Sequence, residues 1–364
     1  MDKELIRQTI TTKNIATYGN AVIAHANARK GKRMYKQVME FEKDKEANLR
    51  QLVSEMADGT YRTGKYTLAC ICDGKKARNI AKVPYRDRVA QWMLAIWYEP
   101  YFQAIICDRT HAAIKGRGIH SALKQVEKYI RHDGYKYCLE IDVRKYFPHI
   151  DRRILIDKLR EDLVDDNIFG IVSNIIMDGP DSIIDDLGNT HDNGIPIGNY
   201  WSQFMANRYM VEVNRWMIDN GIVFTQYMDN IEMFANDKQV LRRVRLNLQW
   251  ELMKMLNLEI KPDWQIFPVT RGVDFVGYRI FPHKTTLRRD NFLSMRRKMS
   301  KILKELRNGK MLTDSMRSSI MSYLGTICHC TAGTRHYLYN TIFREIVALS
   351  GIELSKKLRN YYDC

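Results

Sequence analysis

The sequence predicts an α+β fold, and three observations carry that prediction. Helical-period segments alternate with short β-prone runs of the hairpin-forming, antiparallel kind. Two of those runs place an aspartate at a strand end or a turn, at Asp142 and Asp229, and the last quarter of the chain becomes a basic amphipathic helix. At 364 residues there is enough chain for a sizeable core with two or three subdomains, but hardly for several independent domains. One compact, lobed molecule is expected.

Residues 1–50 carry dispersed apolar positions and the run Arg29-Lys30-Gly31-Lys32-Arg33, which suit a helical or arm-like extension with a charged loop. A solvated face is the plain reading of that run. Residues 61–84 are rich in Thr, Tyr, Ile and Val and are punctuated by Asp73-Gly74, a turn signal between two strands. Apolar residues at helical spacing (Val89, Trp92, Met93, Ile96, Trp97) then predict a core-packed helix over 87–104. Residues 137–143 read as a strand ending in a carboxylate, with a helical pattern following over 152–163. A mostly helical stretch, 202–216, leads into two β-prone runs over 222–234 around Met228-Asp229-Asn230, a hairpin with an acid at its tip. From Arg279 to Lys310, eleven Lys/Arg face only Asp290 and Glu305, a balance of +9 and more than half of the net charge of the chain. Met295, Met299, Ile302, Leu303 and Leu306 line one face of a helix there, and Arg296, Arg297, Lys298, Lys301, Lys304 and Arg307 occupy the others. With so few compensating acids, a phosphate backbone is favoured over a merely solvated face.

Composition narrows the partner. Lys and Arg total 58 against 42 acids, which puts a polyanion such as nucleic acid first, although ribosome-associated and membrane-surface proteins share that balance. No apolar run approaches the ~20 residues that cross a bilayer, and Met1-Asp2-Lys3-Glu4 lacks a signal peptide's hydrophobic stretch, so a cytoplasmic protein without a membrane partner is expected. Seven scattered cysteines argue against a disulfide framework. Cys70 with Cys72, and Cys328 with Cys330 around His329, have one-residue gaps where zinc knuckles use two to four, so buried, unligated thiols are expected instead.

Magnesium takes hard oxygen ligands, and a two-metal site needs carboxylates from separate elements to hold ions ~3.5–4 Å apart beside a reacting phosphate. Asp142 and Asp229 meet that demand, though each alone would read as a solvated acid. Their contexts say more. Glu140-Ile141-Asp142-Val143-Arg144-Lys145-Tyr146-Phe147 resembles the first catalytic motif of reverse transcriptases, and Tyr227-Met228-Asp229-Asn230 resembles their Tyr-x-Asp-Asp signature. Between them, Gly194-Ile195-Pro196-Ile197-Gly198-Asn199-Tyr200-Trp201-Ser202-Gln203 is similar to the substrate-binding motif in the variant typical of diversity-generating retroelements. Upstream, Val83-Pro84-Tyr85-Arg86-Asp87-Arg88-Val89-Ala90-Gln91 and Lys115-Gly116-Arg117-Gly118 resemble fingers motifs; downstream, Phe275-Val276-Gly277-Tyr278-Arg279 resembles the primer grip. These blocks fall in order from about Gly59 to Arg289.

The resemblance, which is to bacterial reverse transcriptases, implies a right-hand polymerase with fingers, palm and thumb, an antiparallel palm sheet and a helical thumb. Its domains would be an N-terminal helical, basic extension (1–50), interleaved fingers and palm (51–278) and a basic thumb (279–364). It implies an RNA-directed DNA polymerase making cDNA with two Mg2+ ions, Mn2+ being a substitute, held by Asp142, Asp229 and the Val143 carbonyl. Phe147 would leave no room for a 2′-hydroxyl, and Arg78, with Lys76 nearly as well placed, would bind the triphosphate. Gly198 and Gln203 belong to the nucleotide motif, and Ile197 stands where many family members have a hydrogen-bonding glutamine, which implies looser base selection. Lys261 falls where polymerases place a general acid, and an exposed structural lysine fits it equally. Lys115, Arg117, Tyr278, Arg296, Arg297 and Lys301 would contact nucleic acid. Asn230 departs from the family pattern: it keeps an oxygen donor but loses a full negative charge, and reads either as natural or as an inactivating substitution. Expected partners are template RNA, primer, cDNA and dNTPs, with a basic accessory protein or a second polymerase subunit as a further candidate. Retroelement diversification is the first role implied and antiphage defence, with DNA made from a noncoding RNA or with little templating, the second. A catalytically impaired nucleic-acid-binding subunit is the alternative of another class.

Overall fold

A computed structural model describes residues 2–73, 76–179, 183–184, 190–191, 193–196 and 200–362; of residues 71–73, 76–79, 183–184, 190–191 and 357 it describes the backbone alone. The elements used below are, in chain order, α1 (Tyr18–Ala28), α2 (Lys36–Lys43), α3 (Lys45–Ala57), β1 (Thr67–Asp73), β2 (Lys76–Lys82), α4 (Tyr85–Ile105), β3 (Tyr137–Asp142), α5 (Arg152–Asp162), α6 (Tyr200–Tyr209), α7 (Val211–Asp219), β4 (Val223–Tyr227), β5 (Asn230–Ala235), α8 (Lys238–Leu256), β6 (Gln265–Pro268), β7 (Val273–Phe275), β8 (Tyr278–Ile280), β9 (Thr285–Leu287), α9 (Arg289–Arg307) and α10 (Asp314–Ile327). The chain divides into two interleaved units. One comprises Met1–Gly116, Ile141–Ile231 and Arg243–Trp264; the other comprises Arg117–Glu140, Glu232–Arg242 and Gln265–Cys364.

In the first unit α4 is the spine. Val89, Met93, Leu94, Tyr98 and Phe102 are buried along it, while Trp92, Ile96 and Trp97 are half-buried. Its aromatics meet α6: Trp92 stacks on Tyr200 (4.3 Å between centroids), Tyr98 meets Trp201 edge-on (5.3 Å) and Phe102 stacks on Phe204 (5.7 Å). The N-terminal segment packs into this core through Ile10, Ile15, Ala21 and Ala24, all buried. Asn20 fixes the contact by donating to the carbonyls of Ile15 (2.9 Å) and Met93 (3.1 Å). The hairpin expected around Asp73-Gly74 is there, antiparallel from Thr67↔Lys82 to Asp73↔Lys76. Asp87 anchors its base by accepting from the Tyr61 hydroxyl and the Gly64 amide, both at 2.9 Å. Burial pushes the Asp87 carboxyl pKa up, and those two bonds with nearby Arg86 hold it back. The helical stretch expected over 202–216 is two helices, α6 and α7, with Met210 between them.

The four-stranded sheet has the order β4-β5-β3-β6, with β3 antiparallel to β6 from Tyr137↔Pro268 to Glu140↔Gln265. Runs of three and four consecutive buried residues in β4 and β5 show that both faces of those strands are covered.

In the second unit β7, β8 and β9 form an antiparallel sheet of order β9-β8-β7. The turn between β7 and β8 has positive φ at both central residues, Val276 (+44°) and Gly277 (+90°), the geometry of a tight two-residue hairpin. Glycine tolerates it; the β-branched valine is strained by it. Helix α9 buries Met295, Met299, Ile302 and Leu306, half-buries Leu303, and exposes Arg296, Arg297, Lys298, Lys301 and Lys304. Two of the expected surface cations are engaged: Arg307 grips Glu345 bidentately (2.7 and 2.6 Å), and Lys310 meets Glu305 (2.7 Å).

Two expectations need correcting. Tyr278 was expected at nucleic acid, but it is buried, and its hydroxyl donates to the Thr326 carbonyl (3.0 Å), so the ring is part of the packing between β8 and α10. Of the thiols expected to be buried, Cys330 is, Cys328 is half-buried and Cys70 on β1 is exposed, while the side chain of Cys72 lies outside the described residues. Among the described residues no helix is long and apolar enough to cross a membrane.

Candidate active site

Backbone hydrogen bonds bring three separate segments of the first unit together. The Val143 amide, just past β3, donates to the Asp229 carbonyl in the β4–β5 turn (2.9 Å). The Lys261 amide donates to the Asp142 carbonyl and the Arg144 amide to the Glu259 carbonyl, both at 2.8 Å, around a bridge between Val143 and Ile260. The Lys261 ammonium then lies 3.0 Å from Asp142 Oδ2, with each side chain about one-third exposed. Burial alone would lower the pKa of that lysine; the hydrogen bond and charge of Asp142, then Asp229 and Asp263, outweigh it and hold the pKa above its usual value. Both expected carboxylates therefore act on one ammonium.

The turn itself is held in a costly shape. Met228 has φ +57°, a left-handed conformation that a non-glycine residue seldom adopts. Its carbonyl accepts from Gln226 Nε2 (2.7 Å), and Gln226 is buried and in turn held by Asn214 (2.7 Å to Oε1). Asn214 also donates to Thr110 (3.1 Å), while the Gln226 backbone bonds to Arg109 (2.8 Å) and His111 (3.0 Å). Thr110, Asn214 and Gln226 went unread in the sequence. The available signal was a glutamine inside the apolar run Val223-Phe224-Thr225-Gln226, where a buried polar group needs partners.

Phe147 is half-buried in the short helix Tyr146–His149, which is pinned where the Tyr146 hydroxyl donates to the Ala206 carbonyl. The loop carrying Phe147 touches the second motif. The amide of Gly194 donates to Ile150 (2.9 Å), that of Ile195 to Phe147 (3.0 Å), and Arg152 Nε donates to the Gly194 carbonyl (2.8 Å). Gly194 has φ +99°, and a Cβ there would stand 2.7 Å from the carbonyl oxygens of Phe147 and Pro148, so only glycine permits the approach.

Asp142, Val143, Asp229 and Lys261 are thus brought together. Asn230 follows Asp229 directly; its Oδ1 is buried without a hydrogen-bond partner, an oxygen donor with its lone pairs to spare. Hard oxygens from two carboxylates, an orphaned amide and a main-chain carbonyl fit a divalent cation of the magnesium kind. Among the described residues no three His, Cys, Asp or Glu side chains converge, so the rest of a coordination shell would come from water and substrate phosphates. Gln203 is half-buried on α6, Lys115 is exposed, and Arg117 is half-buried. Arg296, Arg297 and Lys301 belong to the second unit. Ile197 and Gly198 lie outside the described residues, as do the side chains of Lys76 and Arg78 on β2.

The profile of the reverse transcriptase (RNA-dependent DNA polymerase) family matches residues 72–280, more than half of the chain and all of this site. The chain belongs to that family. A Saccharomyces cerevisiae protein named for COX1/OXI3 intron 1 is 24% identical over 136 residues, covering 37% of this chain and 16% of that protein. Nuclear intron maturase 1, mitochondrial, of Arabidopsis thaliana is 22% identical over 113 residues, covering 30% and 16%. This reverse transcriptase-family chain therefore matches about one-sixth of the length of those curated relatives. Among solved structures, telomerase from Candida albicans is similar with a TM-score of 0.48 and 11% identity, over 84% of this chain and 60% of that one. Apo telomerase from Candida tropicalis gives 0.48 and 10%, over 80% and 60%.

Proposed function

We propose that the protein is an RNA-directed DNA polymerase that extends a primer 3′-hydroxyl with dNTPs on a template RNA. The observation that carries this reading is the set of backbone bonds that brings Asp142, Asp229 and Lys261 together from three segments, with the Lys261 ammonium 3.0 Å from Asp142. Asp142 and Asp229, with the Val143 carbonyl and Asn230 Oδ1, would hold Mg2+, or Mn2+ in its place; bound there, the metal supplies charge compensation for the attacking hydroxyl and the triphosphate. Lys261, kept charged beside Asp142, is placed to give a proton to the leaving pyrophosphate. Phe147 excludes a 2′-hydroxyl, and Gly194 holds the loop that presents it. Arg78 and Lys76 take the triphosphate; Ile197, Gly198 and Gln203 border the base pair. Lys115, Arg117 and the α9 cations Arg296, Arg297 and Lys301 carry the nucleic-acid backbone.

Primer extension on an RNA template tests this directly. The protein should extend a DNA primer in Mg2+ or Mn2+, and Asp142→Ala and Asp229→Ala should each remove the product; extension that survives both changes would sink the assignment.

Asn230 favours a second reading, a nucleic-acid-binding subunit with impaired catalysis, which predicts template binding without extension. For biological role we put retroelement diversification first, on the Ile197-containing motif, with cytoplasmic action and a basic accessory protein or second polymerase subunit as partner. Sequencing copurified nucleic acid separates the roles: adenine-mutated cDNA related to a repeat supports diversification, and repetitive or untemplated DNA supports antiphage defence.

A further inference from the structure

The first unit holds a cavity of about 740 Å³ among the segment leading into α2, the first turns of α2, the base of the β1–β2 hairpin and the start of α4. Its cations are Lys32, Lys36, Lys82 and Arg88, and among the described residues no Asp or Glu lines it. Among the described residues Lys36 has only Glu40 within ion-pair reach, at 3.9 Å on the same exposed helix face. Arg88 stands out. It is half-buried, its Nε is shut off from solvent without a hydrogen-bond partner, and no ion pair involves it among the described residues. Burial lowers its pKa, and the titratable groups that act on it are the phenols of Tyr85 and Tyr35, not carboxylates. A guanidinium so placed has no counter-charge among the described residues, which is costly unless an anion joins it.

The rest of the wall suits the remainder of a nucleotide. Val38, Ala81 and Val83 form a buried apolar floor. Tyr35 is 61% exposed at the cavity, with the Lys32 ammonium 5.9 Å from its ring centroid, so one aromatic face is open to a stacked base. The volume lies in the range of small-ligand sites. We infer that this cavity binds a nucleoside phosphate, with its phosphates on Arg88, Lys82, Lys36 and Lys32 and its base against Tyr35. The ligand has two sources, a free nucleotide or one unit of a single strand. The inference is separable from the polymerase reading: Val83, Tyr85 and Arg88 fall in the block that resembles a fingers motif, but no lining residue is assigned to the metal, the triphosphate or the sugar.

The test is fluorescence anisotropy on the full chain in EDTA, which removes divalent-dependent nucleotide binding. One arm uses mant-ATP and the other a fluorescein-labelled single-stranded RNA, each with wild type, Arg88→Gln and the exposed double variant Lys36→Gln/Lys82→Gln, all with unchanged circular dichroism. We expect the double variant to weaken binding roughly tenfold, as befits lost charge-assisted phosphate contacts. A loss confined to mant-ATP assigns a free nucleotide; a loss confined to RNA, with a salt slope flatter by about 0.7 for each contact removed, assigns a strand. Competition by inorganic tripolyphosphate as strong as that of ATP would remove Tyr35 from the site. Affinities unchanged by the variants in both arms, or binding in neither, would overturn the inference, whatever primer extension shows.

Discussion

Asn230 differs from aspartate by one charge, and its buried Oδ1 accepts no hydrogen bond among the described residues, so the oxygen is free for a cation but lacks the charge that would hold one strongly. Asn230→Asp should therefore strengthen metal binding and speed primer extension by at least about tenfold, equivalent to ~1.4 kcal/mol of barrier. Asp142→Ala in that background should abolish the gain, in Mg2+ and in Mn2+. An asparagine enzyme that is highly active and slows on conversion to aspartate would show the amide to be an evolved ligand. If Phe147 closes the sugar site as proposed, Phe147→Ala should raise ribonucleotide over deoxynucleotide incorporation; an unchanged ratio in single-nucleotide assays would remove Phe147 from that role. The acids were legible because each ends or caps a strand within a recognisable motif. Gln226, Asn214 and Thr110 were not, since what makes them matter is their joint pairing, in which Thr110 lies more than a hundred residues from each of the other two. Tyr278 shows the opposite failure: a motif fixes position in the chain but not which way the ring points.

Helix α9 shows what periodicity can and cannot deliver at the level of an element. Its apolar stripe was readable, and four of the five residues named for it are buried. The pairing of Arg307 with Glu345 was not, because that acid comes from a later helix. Replacing Arg296, Arg297 and Lys301 with glutamine should weaken duplex binding and flatten the slope of log affinity against log salt by about 2.7, at ~0.9 per phosphate contact. A titration whose slope and midpoint match wild type would take α9 off the duplex. The break at Met210 between α6 and α7 escaped the sequence reading because apolar spacing runs straight through it.

For the molecule as a whole, acid sensitivity should reach the N-terminal layer. His25 is buried, with Nδ1 2.9 Å from the Tyr85 hydroxyl and Nε2 3.3 Å from Glu42. Its pKa is lowered from 6.5 chiefly by burial, with Glu42 opposing and Arg29 and Lys45 assisting. The folded state thus prefers the neutral ring, unfolding takes up a proton, and stability is kept above about pH 6.5 and lost as pH falls toward the lowered value. Melting temperature should drop between about pH 7.5 and 5.5 by more in wild type than in His25→Gln. Equal drops would exclude the histidine. Arg208, buried against Asp162 (3.1 Å), should matter at neutral pH: Arg208→Met would strand a buried carboxylate and cost about 3–5 kcal/mol in denaturant unfolding, with a loss below 1 kcal/mol counting against it. The α+β class was readable from local pattern and the resemblance implied interleaved fingers and palm over 51–278, but the grouping of 117–140 and 232–242 with the C-terminal part was not readable. That interleaving also bears on synthesis. Tyr137 pairs with Pro268, so the strand that ends in Asp142 must wait for distant residues to leave the ribosome, on the order of 6–25 s at synthesis rates of about 5–20 residues per second. Until then its edge is an open template for the wrong strand, and the nascent chain is most exposed to misfolding while the residues of its future active site already exist.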